Sequence, residues 1–291
     1  MGEGKQQEVA VKCIGILHHP KVPDSRDMAE AMARQLDEWG VNPWLGSAWD
    51  RGGLLAQVEK LDMLITLGGD GTVLRTARMV APYGVPILGI NLGRLGFLAE
   101  VIPAEWPARL RQVVEGAYWI EERMMIRAVT QDTRRREQSF EALNDVVVSH
   151  GVITRVVRLA TYIDGGYLTT YVADGLIIAT ATGSTGYALS VGGPILPPEL
   201  KNFLLVPIAP HLSFDRAIVL AEGATVTVRV AQGERAMLIV DGQFAGDLDS
   251  GEAVRVTASP HRARFVRVLD RSERYQTLME RLRPRRFRPE D

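Results

Sequence analysis

At 291 residues the chain is long enough for two domains, and its 46% hydrophobic and 24% charged content is that of an ordinary globular protein. A formal charge of −1 gives no global electrostatic basis for nucleic-acid binding, no apolar run approaches a membrane span, and one cysteine, Cys13, cannot form an internal disulfide. A cytoplasmic protein without nucleic-acid or membrane partners is therefore expected, and the polar first seven residues read as neither a signal nor a transit peptide.

The first third alternates strand and helix patterns. Residues 10–17 form a short apolar run, and 24–39 places Met28, Met32, Leu36 and Trp39 at helical spacing. A second apolar run, 61–67, leads into Leu67-Gly68-Gly69-Asp70-Gly71-Thr72 and a helix-like stretch, 72–80; residues 85–90 read as another buried strand. Strands alternating with helices imply a parallel sheet, whose ligands bind beyond the carboxyl ends of the strands. From about residue 123 the pattern changes to short β-rich segments at 124–130, 140–149, 155–164, 168–172, 176–180, 204–208, 217–220, 224–230, 236–240 and 253–257. Turn pairs such as Asp164-Gly165 separate many of them, which predicts a mostly antiparallel second domain. Residues 263–269 are strand-like and 273–282 helix-like, and they are expected to rejoin the first domain. Arg134-Arg135-Arg136 reads as a solvated hairpin tip, and the arginine-rich tail from 281 to 288 as a polar terminus.

The turn at 67–72 carries two readings. A glycine-rich turn between strand and helix gathers backbone N–H groups at the positive end of the helix, where phosphate binds. Asp70 repels phosphate, so its presence there points to a second task, accepting a proton or holding a divalent cation. The structural alternative is a tight turn with Asp70 as the helix N-cap. A second glycine-rich stretch, Gly89 to Leu98, matches neither the dinucleotide fingerprint nor the Walker P-loop, and no other segment does. A third, Asp174 to Ser190 followed by Gly192-Gly193-Pro194, leaves a strand for a turn dense in hydroxyls: Thr182, Ser184, Thr185 and Ser190 offer neutral donors and acceptors suited to ribose, phosphate or an adenine edge. Asn144-Asp145 interrupts an apolar strand; an asparagine amide can pair with adenine and a carboxylate with ribose hydroxyls, or the dipeptide is simply a turn or bulge.

Together these segments resemble the NAD kinase family, over about residues 14–275 and in the family's order. Gly68-Gly69-Asp70-Gly71 is similar to its GGDG motif, Asn91 to Phe97 to its N-x-G-x-L-G-F segment, and Asn144-Asp145 to its Asn-Glu pair. Asp174 to Tyr187 with Gly192-Gly193-Pro194 resembles its longest signature, and Pro210 to Phe214 and Asp241-Gly242-Gln243 also fit. GGDG alone is shared with lipid kinases and 6-phosphofructokinases; the threonine- and serine-rich signature is far more specific.

The resemblance implies a fold of two parts, α/β plus all-β: an N-terminal Rossmann-like domain over 1–123, rejoined by 264–291, and a β-sandwich-like NAD-binding domain over 124–263. It implies transfer of the γ-phosphoryl of ATP, or of polyphosphate, to the 2′-hydroxyl of the adenosine ribose of NAD, with a divalent cation, Mg²⁺ by expectation, whose protein ligands it does not name. Carried over by position, Asp70 is the proton acceptor. Gly68, Gly69 and Gly71 hold phosphates, with Arg75 nearby. Asn144 and Asp145 hold nucleoside groups with Arg155 close by. Asp174, Thr185, Gly186, Tyr187, Ala188, Leu189 and Ser190 complete the NAD site, with Gln243 at its edge. A homodimer or homotetramer is also implied. The chain departs from the family at Asp145, where Glu is usual, at Ala181 and Gly186, which replace Pro and Ala, and at Val172, often basic in bacterial members. The alternatives are a lipid kinase of the diacylglycerol or sphingosine type, which would need an exposed apolar acceptor groove, and a non-catalytic NAD(P)-binding sensor.

Overall fold

The computed structural model describes residues 11–93, 96–131, 137–150, 156–211 and 214–270. In chain order the elements are β1 (Cys13–His18), α1 (Pro23–Glu38), β2 (Asn42–Ser47), α2 (Arg51–Leu55), β3 (Met63–Leu67), α3 (Asp70–Val80), β4 (Ile87–Ile90), α4 (Trp106–Val114), β5 (Trp119–Gln131), β6 (Glu137–Ala142), β7 (Asp145–His150), β8 (Val157–Ile163), β9 (Gly166–Ala173), β10 (Gly175–Thr180), α5 (Tyr187–Ser190), β11 (Asn202–Ile208), β12 (Ile218–Ala221), β13 (Val226–Val230), β14 (Ala236–Val240), β15 (Gln243–Leu248) and β16 (Ala253–Arg267). They fall into two compact units, one running to Glu121 and resuming at Arg264, the other spanning Glu122–Ala263. Among the described residues no helix is long and apolar enough to cross a membrane.

The first unit is built on parallel strands in the order β2-β1-β3-β4, and Phe265, near the end of β16, pairs with Ile87 to extend the sheet. Every residue of β3 and β4 is buried, as expected of strands covered on both faces. Pro23 occupies the first turn of α1, where a missing N–H costs nothing, and Ala29, Met32, Ala33 and Leu36 are its buried stripe. These side chains join Ile14, Ile16, Met63, Ile65, Leu88, Leu110 and Val266 in one core.

The second unit contains an antiparallel sheet in the order β12-β11-β10-β7-β14-β15 and a further set of antiparallel strands, β16-β13-β8-β9, with β5 pairing β6. Alternate residues of both sets, among them Ile126, Val146, Val148, Leu159, Tyr171, Ile178, Phe203 and Val228, fill a shared core. Asp164-Gly165 and Asp241-Gly242 form two-residue hairpin turns with positive φ at both positions, the geometry that matches strand twist and that Asp-Gly pairs adopt cheaply.

Several elements differ from expectation. Helix α3 starts at Asp70 rather than at residue 72, and residues 253–257 and 263–269 belong largely to one long strand, β16. Strands β2 and β15 and helix α4 had no counterpart in the sequence reading. The arginine triplet at 134–136, the helix-like segment at 273–282 and the arginine-rich tail lie outside the described residues.

Candidate active site

In the first unit the polypeptide leaves β3 through Gly68 and Gly69 and enters α3. A side chain on Gly68 would meet the Thr72 hydroxyl, so the helix starts hard against the strand end. Gly69 and Gly71 are exposed, and among the described residues nothing lies within 4 Å of where their β-carbons would be. A ligand can thus reach the backbone at the positive end of an 11-residue helix.

Asp70 is not the N-cap; Gly69 takes that position and Asp70 is the first helical residue. Its carboxylate instead accepts the Phe97 N–H at Oδ2, 2.7 Å away, and the Leu98 N–H at Oδ1, 3.2 Å away. Gly96 is pressed against that carboxylate so closely that a β-carbon there would collide with it. The second glycine-rich stretch is therefore the cradle of Asp70. It is stitched to the first by Gly68 N–H donating to the Ile90 carbonyl, and shaped by Gly93 N–H donating to Asn91 Oδ1. Arg94 and Leu95 lie outside the described residues.

The cradle is fixed from behind by a buried ion cluster. Arg267, 6% exposed, donates through Nη1 to the Leu98 carbonyl at 2.8 Å and through Nε to Glu121 at 2.6 Å; Glu100 lies 3.4 Å from Nη1 and accepts the Val268 N–H. Each member has partners, as a buried charge requires. The Leu98 peptide thus bridges Arg267 on its carbonyl side and Asp70 on its N–H side.

In the second unit Asn144 and Asp145 stand where the chain enters β7. The Asp241 carboxylate, folded back from its hairpin turn, accepts the N–H groups of Leu143 at 3.0 Å, Asn144 at 2.7 Å and Asp145 at 3.1 Å. Asp241 was seen in the sequence only as part of a matching tripeptide. Its organising role spans almost 100 residues and leaves no local signal beyond the turn pair. Asp145 is 6% exposed, and burial, with Asp241 beside it, pushes its carboxyl up to about 7 from 3.8.

The hydroxyl-rich turn packs on this pair. Thr180 N–H donates to the Asn144 carbonyl at 2.8 Å, the Thr180 hydroxyl donates to the Leu143 carbonyl, and a side chain on Gly183 would collide with the Asn144 backbone. The Asn144 amide nitrogen lies 3.8 Å from where a Gly186 β-carbon would stand, so these two sequence-selected residues are neighbours. The hydroxyls are mostly committed to the turn itself. Ser184, fully buried, donates to the Ala181 carbonyl at 2.7 Å and accepts the Leu196 N–H at 2.9 Å; Thr185 donates to the Thr182 carbonyl at 3.1 Å. Among the described residues the buried Thr182 hydroxyl has no partner. The expectation that Ser184 offers its hydroxyl to a ligand is therefore corrected: it locks the turn.

Of the remaining sequence-selected residues, Tyr187 and Ser190 are exposed, Leu189 is half-buried, and Ala188 faces the core beneath. Asp174 bridges β9 and β10 through its backbone, donating to the Ile208 carbonyl and accepting the His150 N–H. Gln243 begins β15 at the surface, Arg75 lies on α3 with its guanidinium 6.0 Å from the Trp49 ring, and Arg155 lies outside the described residues. Among the described residues no group of three or more His, Cys, Asp or Glu side chains could cage a metal. The donor set fits a cation carried in on phosphates and touched by one carboxylate, the usual habit of Mg²⁺, with Asp70 the carboxylate at the turn.

Comparison with known proteins adds to this geometry. The ATP-NAD kinase N-terminal domain matches residues 8–118 and the ATP-NAD kinase C-terminal domain residues 143–268. The chain is 37% identical over 274 residues to the NAD kinase of Dehalococcoides mccartyi (strain CBDB1), covering 94% of this chain and 96% of that one. Among solved structures it resembles yeast NADH kinase complexed with NADH, at 24% identity, a TM-score of 0.82, and 97% and 91% coverage of the two chains, a likeness of fold. It also resembles an NAD kinase from Archaeoglobus fulgidus in complex with ATP, at 25% identity, a TM-score of 0.75, and 93% and 98% coverage. With family domains matched on both sides of residue 123 and a relative aligned along nearly its whole length, the chain belongs to the NAD kinase family.

Proposed function

We propose that this chain transfers the terminal phosphoryl group of ATP or polyphosphate to the 2′-hydroxyl of the adenosine ribose of NAD, forming NADP. The observation that carries the reading is the Asp70 carboxylate, held by two loop amides at the head of α3 beside two open glycines. Such a group is aimed at an alcohol proton rather than at the phosphates that the open glycines and the helix end receive.

Phosphoryl transfer asks the protein mainly for alignment and charge neutralisation. Asp70 orients the 2′-hydroxyl and takes its proton as the new P–O bond forms and the bond to the bridging oxygen of the donor breaks, releasing ADP or a polyphosphate one unit shorter. Each carboxylate oxygen keeps a free lone pair after accepting one amide, so the cradle leaves room for that bond. Asp70 would be the protein carboxylate holding a divalent cation, which would supply neutralisation of the phosphates' charge. In the second unit the Asn144 amide and Asp145 hold nucleoside groups, and the self-bonded turn at 180–190 supplies a rigid wall for NAD. Asp145, with its carboxyl near 7, can donate as well as accept. A cytoplasmic homodimer or homotetramer accords with the family.

Purified protein incubated with NAD, Mg²⁺ and either ATP or polyphosphate is expected to yield NADP with at least one donor. No product from either donor overturns the reading. The family match supports a nucleotide acceptor over a lipid headgroup or a silent sensor.

A further inference from the structure

The loop after β1, the loop after β2 and helix α3 bring three side chains of the first unit together around a fourth, Trp49. Trp49 is 43% exposed. Lys21 Nζ stands 4.7 Å from the ring centroid, the Arg75 guanidinium 6.0 Å from it, and the His19 imidazole meets it edge to face at 5.6 Å. Among the described residues neither Lys21 nor Arg75 is paired with a carboxylate. Asp50, next to Trp49, is committed elsewhere, its Oδ1 accepting the Gly53 N–H at 2.9 Å to cap α2.

The loop carrying two of these groups is built rather than loose. Ser25, fully buried, accepts the His19 N–H at 3.0 Å and shares its own hydroxyl proton between the His19 and Val22 carbonyls. The Lys21 N–H donates to His19 Nδ1 at 3.2 Å, which sets the imidazole against Trp49. Unpaired cations gathered on one ring repel each other, and each cation–π contact returns only about 0.5–1 kcal/mol at an exposed site. A bound anion removes that repulsion. The place also suits one: the cluster stands at the carboxyl ends of parallel strands, and Arg75 lies five residues, about 7.5 Å along the helix axis, beyond Asp70.

We infer that Lys21, Arg75 and Trp49 form a binding site for the distal part of an oligophosphate chain, the part of the phosphoryl donor away from the bond being broken. The inference rests on the kinase reading and extends it to residues that the glycine motif does not include. The shared chemistry is a run of linked phosphates, whether it belongs to a nucleoside triphosphate or to inorganic polyphosphate. Lys21 and Arg75 bind the phosphates as cations, and Trp49 holds both in place.

The test compares wild type with Lys21→Gln and Trp49→Ala by steady-state kinetics, with ATP and polyphosphate as donors in separate arms. The donor KM is expected to rise about tenfold, the scale of one charge-assisted hydrogen bond, while the KM for NAD moves less than twofold. A rise with ATP alone assigns the site to the nucleoside triphosphate, a rise with polyphosphate alone to the inorganic chain, and a rise with both to the shared phosphates. Donor KM values unchanged in both arms, or an equal rise in the KM for NAD, overturn the site. Calorimetric titration of wild type and Lys21→Gln with inorganic tripolyphosphate reads the site without turnover. Lys21-dependent binding in a protein that makes no NADP would keep the site and remove the kinase reading; tripolyphosphate binding equally well to both proteins counts against the site.

Discussion

Two of the glycine-rich turns of this molecule, one after β3 and one after β10, look alike in sequence and solve opposite problems. Each leaves a fully buried strand and runs into helix. The turn at 68–71 directs its polar group outward from its own backbone: Asp70 depends on amides 27 and 28 residues away, and its glycines stand open. The turn at 181–186 is closed on itself, with hydroxyls bonded three residues back and Gly183 pressed onto Asn144. The first presents a charge, the second a shape. A substitution in the first should change the rate, and one in the second should change stability or substrate affinity.

Asp70→Asn gives the largest expected effect. Turnover falls by about 10²–10⁴-fold or more while NAD still binds by calorimetry. Near-normal NADP formation would remove the charge from the comparison and the mechanism with it.

Asp145→Asn tests the second unit through pH. Folded protein keeps a proton on Asp145 up to about pH 7, whereas the unfolded chain releases it near 3.8, so folding takes up a proton between these values. Wild-type stability therefore declines as pH rises from about 4 to 7, by at most about 4 kcal/mol, and does not recover at higher pH. Thermal midpoints measured from pH 5 to 8 should fall for wild type and less steeply for Asp145→Asn. Parallel curves would mean that the buried carboxyl does not titrate in this way.

Gly96→Ala drives a methyl group into the Asp70 carboxylate. A displacement of about 1 Å at a reacting group costs on the order of 10²-fold in rate, so kcat should fall with little change in the KM for NAD. A change confined to KM would assign the cradle to binding instead. Ser184→Ala is the mildest change: it strands the buried Leu196 N–H, costing about 1–3 kcal/mol in denaturant unfolding, with kcat near wild type. A large loss of kcat at full stability would show that this hydroxyl reaches substrate after all.

Much of this was legible in the sequence where physical signals are local. The buried runs that became β3, β4 and β10, the stripe of α1 and the Asp-Gly turns announce themselves through hydrophobic period and backbone demand. Strand β2 did not, because it is a half-exposed edge strand containing Pro43 and Gly46, tolerated at an edge and uninformative as a pattern. Helix α4 buries only Leu110 and Val113, too short a stripe to read. Asp70 was visible as an unusual carboxylate, and Asp241 only as part of a matching tripeptide. What holds Asp70, and what Asp241 holds, depends on pairings of 27 and nearly 100 residues, which only the folded chain brings together.

Strand β16 also bears on the order in which the protein can be completed during synthesis. The second unit is one continuous stretch, so its core can close while the C-terminal end of β16 is still being made. The first unit, though it begins the chain, lacks Phe265, which extends its sheet, Val266, which enters its core, and Arg267, which anchors the Asp70 cradle, until the ribosome has passed residue 267. A nascent chain arrested before that point would have a finished β-sandwich unit and an unfinished first unit, so the setting of the Asp70 carboxylate is among the last events in the making of the molecule.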